Sequence, residues 1–377
     1  MLSELFVILI FIKSKSYGHQ IELLLFDGQN SKIQRMFGTH YSMPVETNHK
    51  FSIQQFALII IVLAFISVVF SNNYFSAKSS SADESLNAKP IITPTSKLRT
   101  IAIGSYVYGG IWQGLGPIEN FERKLNKKLE VVHWFMSWNH EWNEHLVTLA
   151  STAGRKPLIS WEPHKHSMAD IAAGKYDNYI RSWAKGSAKF GKVIYLRPFP
   201  EMNGNWTPWN GDPESFVVAW RRMVEIFRQE GANNVVWIWA PNITDQPNSE
   251  RNRMENYYPG SDYVDILAMD GYNWGTSRKW SSWKSFSEIF SEPYKRIAAL
   301  GNQEIWITEM SSAEIGGNKG LWIKDMFEQN KFQRLSTIIW FDENKEVDWR
   351  VQSSKGSLEA FRRGVKGESP NYFKSLK

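Results

Sequence analysis

The sequence predicts an α/β fold of the (β/α)8 or TIM-barrel type, and three observations favour it. Eight short apolar runs rich in β-branched and aromatic residues alternate with segments whose apolar residues recur at helical spacing. Several runs, among them VIYLRPF and VVWIWAP, are apolar on both faces, as strands of a parallel sheet covered on both sides must be. A doubly wound open sheet is the main alternative, but no Gly-rich phosphate turn follows the first run.

The predicted strands follow one another in regular succession. They lie at residues 100–103, 130–135, 157–161, 192–198, 234–239, 263–269, 304–308 and 336–341. Segments 176–190 and 213–229 show the clearest helical spacing between them, and a glycine follows shortly after the second segment. An apolar stripe on the second segment is predicted to face the core and consists of Phe216, Trp220, Met223 and Phe227.

The first hundred residues are predicted to lie outside the barrel, which we assign to residues 98–377 as a single domain. Residues 56–70 form an uncharged apolar run of 15 residues, which fits a signal peptide better than a spanning helix of about 20 residues. Because signal peptides rarely begin so far into a chain, Met43 is a candidate start, and residues 1–42 are then an upstream extension with no fold. Residues 43–77 are predicted to be a signal peptide or membrane anchor, and residues 78–97, rich in Ser, Ala and Pro, a flexible linker.

Both interpretations of the apolar run place the barrel outside the cytoplasm. A cleaved signal peptide predicts a secreted protein. An uncleaved segment predicts a membrane-anchored protein that contacts the bilayer through residues 56–70 and carries the barrel on its outer side.

Composition excludes several classes of function. The net charge of +6 is spread along the chain without a dense basic block, so no nucleic-acid partner is predicted. The absence of cysteine excludes disulfides, thiolate metal sites and cysteine nucleophiles. The chain has 18 Trp, 14 Tyr and 22 Phe residues, many beside Gly, Asn or Pro at predicted strand ends. Core packing is the alternative explanation, but aromatic rings at strand ends favour a cleft that binds sugar rings.

Two glutamates follow predicted strands at positions suited to catalysis. Glu201 lies in the string RPFPEMNGNW and Glu309 ends the string IWITE, with 107 residues between them. The carboxyl ends of the strands of a (β/α)8 barrel form one active face, so both side chains are predicted to meet there. Two such carboxylates cleave a glycosidic bond with retention when they lie about 5–5.5 Å apart, one as acid and one as nucleophile. The alternative is that both are solvated loop residues.

Two further side chains are predicted to hold the nucleophile. Arg197 precedes Glu201 by four residues and would point into the barrel mouth, where a positive charge keeps a carboxylate ionised. Tyr272 would donate a hydrogen bond to the same carboxylate. No cofactor is predicted, because two carboxylates and water suffice for this reaction.

Other clusters of polar residues predict binding less strongly. His164 and His166 follow the third strand together with Glu162, and a substrate-binding loop or plain surface is favoured over a metal site there. The aspartates of segment 262–270 lack the spacing of a calcium loop, so no metal is predicted. His133 lies near the end of the second strand among tryptophans, where the wall of a sugar subsite is favoured.

Five motifs, taken in order, resemble glycoside hydrolase family 26, the β-mannanase family of the large retaining barrel clan. They are RPFPEMNGNWTPW, VVWIWAPN, YYPGSDYVDILAMDGYNWG, IWITEM and IIWFDENKEVDWR, and the resemblance covers roughly residues 98–361. It implies that Glu201 is the general acid/base and Glu309 the nucleophile. It also implies that Trp206 and Trp340 are sugar platforms near the cleavage point. The predicted substrate-binding set is Arg197, Trp206, Tyr272, Trp340, Trp161, His133 and Asn203.

One residue departs from the family pattern. Pro200 precedes Glu201 where the family usually has histidine, and proline has neither a side-chain donor nor a backbone N–H. We expect a monomeric, endo-acting, retaining β-glycanase whose partner is a polysaccharide, with β-1,4-mannan as the first candidate. The alternatives are a β-glucanase or β-1,3-xylanase of the same family, a hydrolase that trims an exported polysaccharide during its assembly, and a carbohydrate-binding protein with weakened catalysis.

Overall fold

The computed structural model of the protein describes residues 6–15, 18–27 and 101–367. Phe6–Lys15 and Gly18–Asp27 pair as antiparallel strands, which corrects the expectation that residues 1–42 carry no fold. Both segments are rich in aliphatic and aromatic residues that favour strands. The predicted signal peptide or anchor and the predicted linker, residues 43–97, lie outside the described residues. Within the described part of the chain, no helix has the length and apolar character needed to cross a bilayer.

Eight parallel strands form a closed barrel, which confirms the predicted fold class. They are β1 (Ala102–Val107), β2 (Val131–Ser137), β3 (Lys156–Glu162), β4 (Ile194–Pro198), β5 (Val235–Trp239), β6 (Ile266–Asn273), β7 (Ile305–Ser312) and β8 (Leu335–Asp342). Each strand pairs with the next, and β8 pairs with β1 in a register that sets Trp340 opposite Ser105. Every strand overlaps the segment predicted for it.

Helices cover the outside of the barrel. They are α1 (Gly116–Leu125), α2 (Glu144–Ala150), α3 (Met168–Ala172), α4 (Asp177–Phe190), α5 (Pro213–Gln229), α6 (Phe286–Ala298), α7 (Lys319–Glu328) and α8 (Lys355–Lys366). Between β5 and β6 the chain instead forms three 3₁₀ turns, Glu250–Asn252, Met254–Tyr257 and Ser261–Tyr263. This connection departs from the eight regular strand–helix units that the sequence predicts, because its many Asn, Asp, Pro and Gly residues favour turns.

Two apolar layers fill the molecule on either side of the strands. The layer inside the barrel consists of Val131, Leu158, Tyr195, Ile238, Ala240, Ile266, Ala268, Trp306 and Ile339. The rings of Tyr195 and Trp306 meet there edge to face, with centroids 4.6 Å apart. The outer layer, between strands and helices, includes the predicted stripe of α5, in which Phe216 and Trp220 are fully buried. Because side chains fill the barrel interior, the space for a ligand lies above it, at the carboxyl ends of the strands.

Candidate active site

Both predicted glutamates line one cavity of about 960 Å³ at the carboxyl end of the barrel. Glu309 lies on β7, and Glu201 follows the end of β4 in the loop that leads to α5. Trp206 and Tyr272 line the same cavity. The structure thus brings together side chains from three separate parts of the sequence, the loop after β4, β6 and β7.

A tight turn directs Glu201 into this cavity. Phe199 and Glu201 both have positive φ angles, 51° and 55°, which residues other than glycine rarely adopt. The backbone N–H of Glu201 donates to the carbonyl of Ala240 at 2.8 Å, and the indole of Trp209 donates to the carbonyl of Pro200 at 2.7 Å. The first bond ties the strained turn to the end of β5 and the second ties it to its own loop. Strain of this kind concentrates at functional sites.

Each carboxylate oxygen of Glu309 accepts one short hydrogen bond. The guanidinium of Arg197 donates through Nη2 to Oε2 at 2.9 Å, and the hydroxyl of Tyr272 donates to Oε1 at 2.6 Å. Arg197 is fully buried, so its charge acts on Glu309 with little screening by water. The two donors, one on each oxygen, fix the orientation of the Glu309 carboxylate.

Arg197 is itself fixed by buried polar groups. Its Nη1 donates to both oxygens of Asp270 at 2.8 Å, and its Nε donates to the hydroxyl of Ser160 at 2.8 Å. Thr308 donates to the same aspartate at 2.7 Å. In the sequence, Asp270 was considered only among the aspartates of segment 262–270, which lack the spacing of a calcium loop. Its role as the counter-ion of Arg197 depends on a side-chain contact between β4 and β6, which are separated by β5, and no local sequence pattern reveals it.

Glu201 has a different environment from Glu309. Burial raises the pKa of Glu201, the negative charge of Glu309 raises it further, and hydrogen bonds from Asn242 and Trp206 partly oppose this. The Asn242 amide donates to Oε1 and the Trp206 indole to Oε2, both at 2.6 Å. Sequence reasoning missed Asn242, although it ends the quoted motif VVWIWAPN. An acid with a raised pKa beside an ionised carboxylate is the combination that glycosidic cleavage needs.

Aromatic rings form one wall of the cavity and extend away from the glutamates. Tyr272 packs against Trp349 with centroids 4.8 Å apart, and Trp349 meets Trp274 at 4.9 Å. Trp274 in turn meets Trp280 at 5.3 Å, and Trp280 is 71% exposed. The sequence had suggested aromatic residues at strand ends in general, but these three tryptophans were not singled out. Such a wall is suited to the apolar faces of sugar rings.

Two predicted substrate-binding residues, the sugar platform Trp340 and Trp161, are corrected by the structure. Trp340 is fully buried on the outer side of β8, against Trp322 of α7 and Phe361 of α8. Trp161 is fully buried on the outer side of β3, against Trp183 of α4. Successive side chains of a strand point to opposite faces, so a shift of one residue decides whether a ring meets substrate or core. On β8 the ring that lines the cavity is the neighbouring Phe341.

Asn203 and His133 are also buried and do not line the cavity that holds the glutamates. The amide of Asn203 donates to the carbonyl of Asn242 at 2.9 Å and to Asp245 at 2.8 Å, and its oxygen accepts from the backbone N–H of Asn242 at 2.8 Å. It therefore braces the loop that carries Asn242. His133 shares a hydrogen bond of 2.7 Å with Ser160, and burial together with Arg197 holds its pKa well below the usual value. Both predictions of direct substrate contact are corrected.

The histidines after β3 form no metal site with their neighbours. Across residues 101–367, no group of three His, Cys, Asp or Glu side chains has an arrangement that could hold a metal ion. His164 instead pairs with Glu162, with Nε2 and Oε2 2.9 Å apart. His166 packs against Tyr176, with ring centroids 4.4 Å apart.

A closed parallel barrel with two glutamates in one strand-end cavity, one of them bound by arginine and tyrosine, defines the class of barrel glycoside hydrolases. The comparison with known families specifies this class further. Residues 174–346 match glycosyl hydrolase family 26, and the barrel is a member of that family, which confirms the resemblance found in the motifs.

Several relatives are similar over part of their length. Endoglucanase H of Acetivibrio thermocellus is 37% identical over 289 residues, which cover 72% of this chain and 32% of that protein. Mannan endo-1,4-beta-mannosidase A and B of Caldalkalibacillus mannanilyticus is 33% identical over 140 residues, covering 34% of this chain and 23% of that one. This chain therefore spans a third or less of the length of either relative.

Solved structures share the fold at low identity. The catalytic domain of an endo-beta-1,4-mannanase from Bacillus sp. JAMB-750 superposes with a TM-score of 0.56 at 16% identity, covering 72% of this chain and 87% of that one. A double mutant of the Cellulomonas fimi endo-beta-1,4-mannanase gives a TM-score of 0.55 at 17% identity, covering 71% and 70%. At this identity the superpositions support the barrel fold.

Proposed function

We propose that this protein is an endo-acting β-glycanase that hydrolyses a polysaccharide with retention, by double displacement. The observation that carries the proposal is the difference between the two glutamates that share the cavity. Glu309 accepts hydrogen bonds from Arg197 and Tyr272, one on each carboxylate oxygen, which orient it as a nucleophile. Glu201 is half-buried beside Glu309, and its desolvation together with the negative charge of Glu309 raises its pKa and favours the protonated form.

The two glutamates divide the reaction between them. Glu309 attacks the anomeric carbon while Glu201 protonates the departing glycosidic oxygen, which leaves a covalent glycosyl–enzyme intermediate on Glu309. Glu201, now ionised, removes a proton from water as the water attacks the same carbon and releases Glu309. Tyr272 and Arg197 orient the nucleophile, and Trp206 and Asn242 orient the acid.

An endo mode of attack is supported by the shape of the site. The cavity is lined by residues from the loops after β4, β5, β6 and β8 as well as by Glu309, and its aromatic wall continues to the exposed Trp280. A chain that passes along this wall extends beyond the sugar at the cleavage point. Binding several consecutive sugars across an open cleft favours cleavage inside a polysaccharide.

For the substrate we infer a β-glucan first and β-1,4-mannan second. The relative that is 37% identical over 289 residues is named an endoglucanase, whereas those named mannan endo-1,4-beta-mannosidase reach 33% over 140 residues and 30% over 182. Glucose and mannose differ in configuration at C2, and hydrogen bonds to the 2-OH strengthen in the transition state. Pro200 cannot supply the side-chain hydrogen bond of the histidine that the mannanase pattern has at this position.

The catalytic roles are tested by Glu309→Ala and Glu201→Ala. Glu309→Ala is expected to abolish hydrolysis of every accepted polysaccharide. Glu201→Ala is expected to slow it by about 10²–10⁴-fold, and to slow the release of an activated phenol far less, because that leaving group needs no protonation. Glu292→Ala, at a 73% exposed carboxylate of α6, is the control. NMR of the first product should show the β anomer. Release of the α anomer, or a Glu309→Ala variant that still hydrolyses the polysaccharide, would contradict the proposal.

The substrate assignment is tested at Pro200. Wild type, Pro200→His and Pro200→Ala should be compared on mixed-linkage β-glucan, galactomannan and β-1,3-xylan. We expect the wild type to prefer glucan. Pro200→His should shift the ratio of kcat/KM values toward mannan by up to about tenfold, which corresponds to the free-energy contribution of one hydrogen bond. Pro200→Ala removes the ring without adding an imidazole and should not shift the ratio. A wild type that prefers mannan would reverse our ranking.

We also infer that the barrel acts outside the cytoplasm as a secreted or membrane-anchored protein. The apolar run at residues 56–70 supports export, and polysaccharides are too large and polar to cross a bilayer unaided. N-terminal sequencing of the mature protein tests this inference. A mature chain that begins after the run indicates cleavage, and a full-length chain recovered in the membrane fraction indicates an anchor. A full-length chain in the cytosol contradicts both.

A further inference from the structure

Glu162 is a third carboxyl group at the mouth of the barrel. It ends β3 and lies two residues after Ser160, whose hydroxyl faces inward and accepts a hydrogen bond from Arg197. Alternate side chains of a strand share a face, so Glu162 points inward above Ser160. Its side chain is only 16% exposed.

The carboxylate of Glu162 has spare hydrogen-bonding capacity. Its Oε2 lies 2.9 Å from Nε2 of His164, whose side chain is 46% exposed. Within residues 101–367 its side chain has no other hydrogen bond or ion pair in the structure. A largely buried carboxyl with one partner is costly unless a ligand completes its hydrogen bonds.

The charges around Glu162 belong to the catalytic centre. Burial raises the pKa of Glu162, the positive charge of Arg197 lowers it, the negative charges of Glu309 and Glu201 raise it and that of Lys345 lowers it, and together they bring it to about 7. A carboxyl that is partly protonated near neutral pH donates through O–H as well as accepting, and a sugar hydroxyl requires both kinds of partner.

The pair of Glu162 and His164 adjoins the loop that carries Pro200. Trp161, beside Glu162, is in register with Pro198 on the neighbouring β4. The His164 ring packs edge-on against Trp209, with centroids 5.6 Å apart, and Trp209 donates to the carbonyl of Pro200. The pair is thus close to the position where a mannanase has histidine and this chain has none.

We propose that Glu162, oriented by His164, hydrogen-bonds a hydroxyl group of the hexose bound beside Glu201 and so determines which hexose the cleft accepts. The ligand is a pyranose unit of the polysaccharide. Glu162 supplies side-chain recognition that Pro200 cannot supply. The inference rests on the proposed function, because it assigns a specificity residue to that same site.

The test uses Glu162→Gln, which keeps the size of the side chain but removes its ionisation and its O–H donor. KM and kcat should be measured between pH 5 and 9 on glucan and mannan oligosaccharides of equal length. We expect KM for the preferred series to rise about tenfold or more, the size expected for a lost hydrogen bond to an ionisable group. The kcat/KM ratio between the two series should change, and the transition of KM near pH 7 should disappear. The exposed Glu141→Gln, on the loop after β2, is the matched control and should behave as wild type.

The outcomes separate this inference from the proposed function. An active wild type whose KM, hexose preference and pH transition are all unchanged by Glu162→Gln overturns the inference alone, even if the variant melts at a lower temperature. A wild type that hydrolyses no polysaccharide overturns the proposed function instead. If Glu162→Gln does not fold, His164→Ala, at a half-exposed residue, provides the test. An increased KM with an altered hexose preference supports the role of the Glu162–His164 pair, and unchanged kinetics overturns the inference.

Discussion

At the scale of single residues, two identical side chains acquire different chemistry from their neighbours. Glu309 accepts a hydrogen bond from a buried arginine, whereas Glu201 accepts only from the neutral groups of Trp206 and Asn242. Each donor to Glu201 stabilises its ionised form and so lowers its pKa, while burial and the charge of Glu309 raise it. The protonation state of the acid therefore depends on a balance that one substitution can move.

Trp206→Phe tests this balance. The change keeps an aromatic ring at the cavity but removes the N–H that donates to Glu201 at 2.6 Å, so the pKa of Glu201 should rise further. Because the acid must be protonated in the free enzyme, the basic limb of the pH profile of kcat/KM should move to higher pH. Trp280→Phe, on the same cavity wall but far along it, should leave that limb in place. A limb that moves to lower pH would contradict the assignment of Glu201 as the acid.

Sequence reasoning at this scale succeeded for residues whose position follows from a strand end. Glu201, Glu309 and Tyr272 were identified in this way, and all three line the cavity. It failed for Trp340 and Trp161, since their orientation depends on which face of the strand each residue occupies. Runs that are apolar on both faces carry no alternation from which the inward side could be deduced.

At the scale of elements, the loops after β4 and β5 are joined through Asn203. This amide makes hydrogen bonds to the backbone of Asn242 and to Asp245, and a second buried amide, Asn252, donates to the carbonyl of Asn203 at 2.8 Å. The connection between β5 and β6 therefore has a function that a regular helix would not serve: it braces the residue that holds the acid. The sequence predicted the strands here but not this bracing, because it links segments about 40 residues apart.

Asn203→Ala should weaken both stability and catalysis. Buried partners on the β5 loop would lose their hydrogen bonds, which we expect to cost about 1–3 kcal/mol in the free energy of unfolding. Because Asn242 would lose its support, kcat should fall by about tenfold or more while KM for the polysaccharide changes little. Urea unfolding and steady-state kinetics measure the two effects. Asn256→Ala, which removes hydrogen bonds on the exposed part of the same connection, is the control. A rise in KM with unchanged kcat would instead indicate direct substrate contact.

At the scale of the whole molecule, the barrel separates binding from stability. The cavity with its glutamates and tryptophans lies at the carboxyl ends of the strands, whereas a buried ion pair lies at the other end. There Arg155, just before β3, donates to both oxygens of Glu122 on α1, through Nε at 2.7 Å and Nη2 at 2.6 Å. This division follows from parallel strands that all start at one end, and the prediction of the fold class already contains it.

Glu122→Gln should therefore destabilise the barrel and leave its chemistry intact. Burial alone raises the pKa of Glu122, but hydrogen bonds from Arg155 and the backbone N–H of Leu129 outweigh it and hold the pKa below the usual value. A lowered pKa means that the contribution to stability is fully present above pH 4.5, the ordinary value, and is lost as pH falls through the folded value. At pH 7 we expect a loss of about 3 kcal/mol, because the substitution leaves a buried guanidinium without its counter-ion, and the difference from wild type should shrink in acid.

Urea unfolding at pH 7 and at successively lower pH measures this loss, and hydrolysis at pH 7 measures the chemistry. Glu144→Gln, which removes an exposed ion pair with Lys189 on the same outer layer, should cost less than about 1 kcal/mol at every pH. A folded Glu122→Gln should keep the wild-type kcat, because neither member of the pair reaches the cavity. A folded variant with the wild-type free energy of unfolding but a reduced kcat would contradict the separation of the two faces, and with it the argument that the barrel places stability at one end and catalysis at the other.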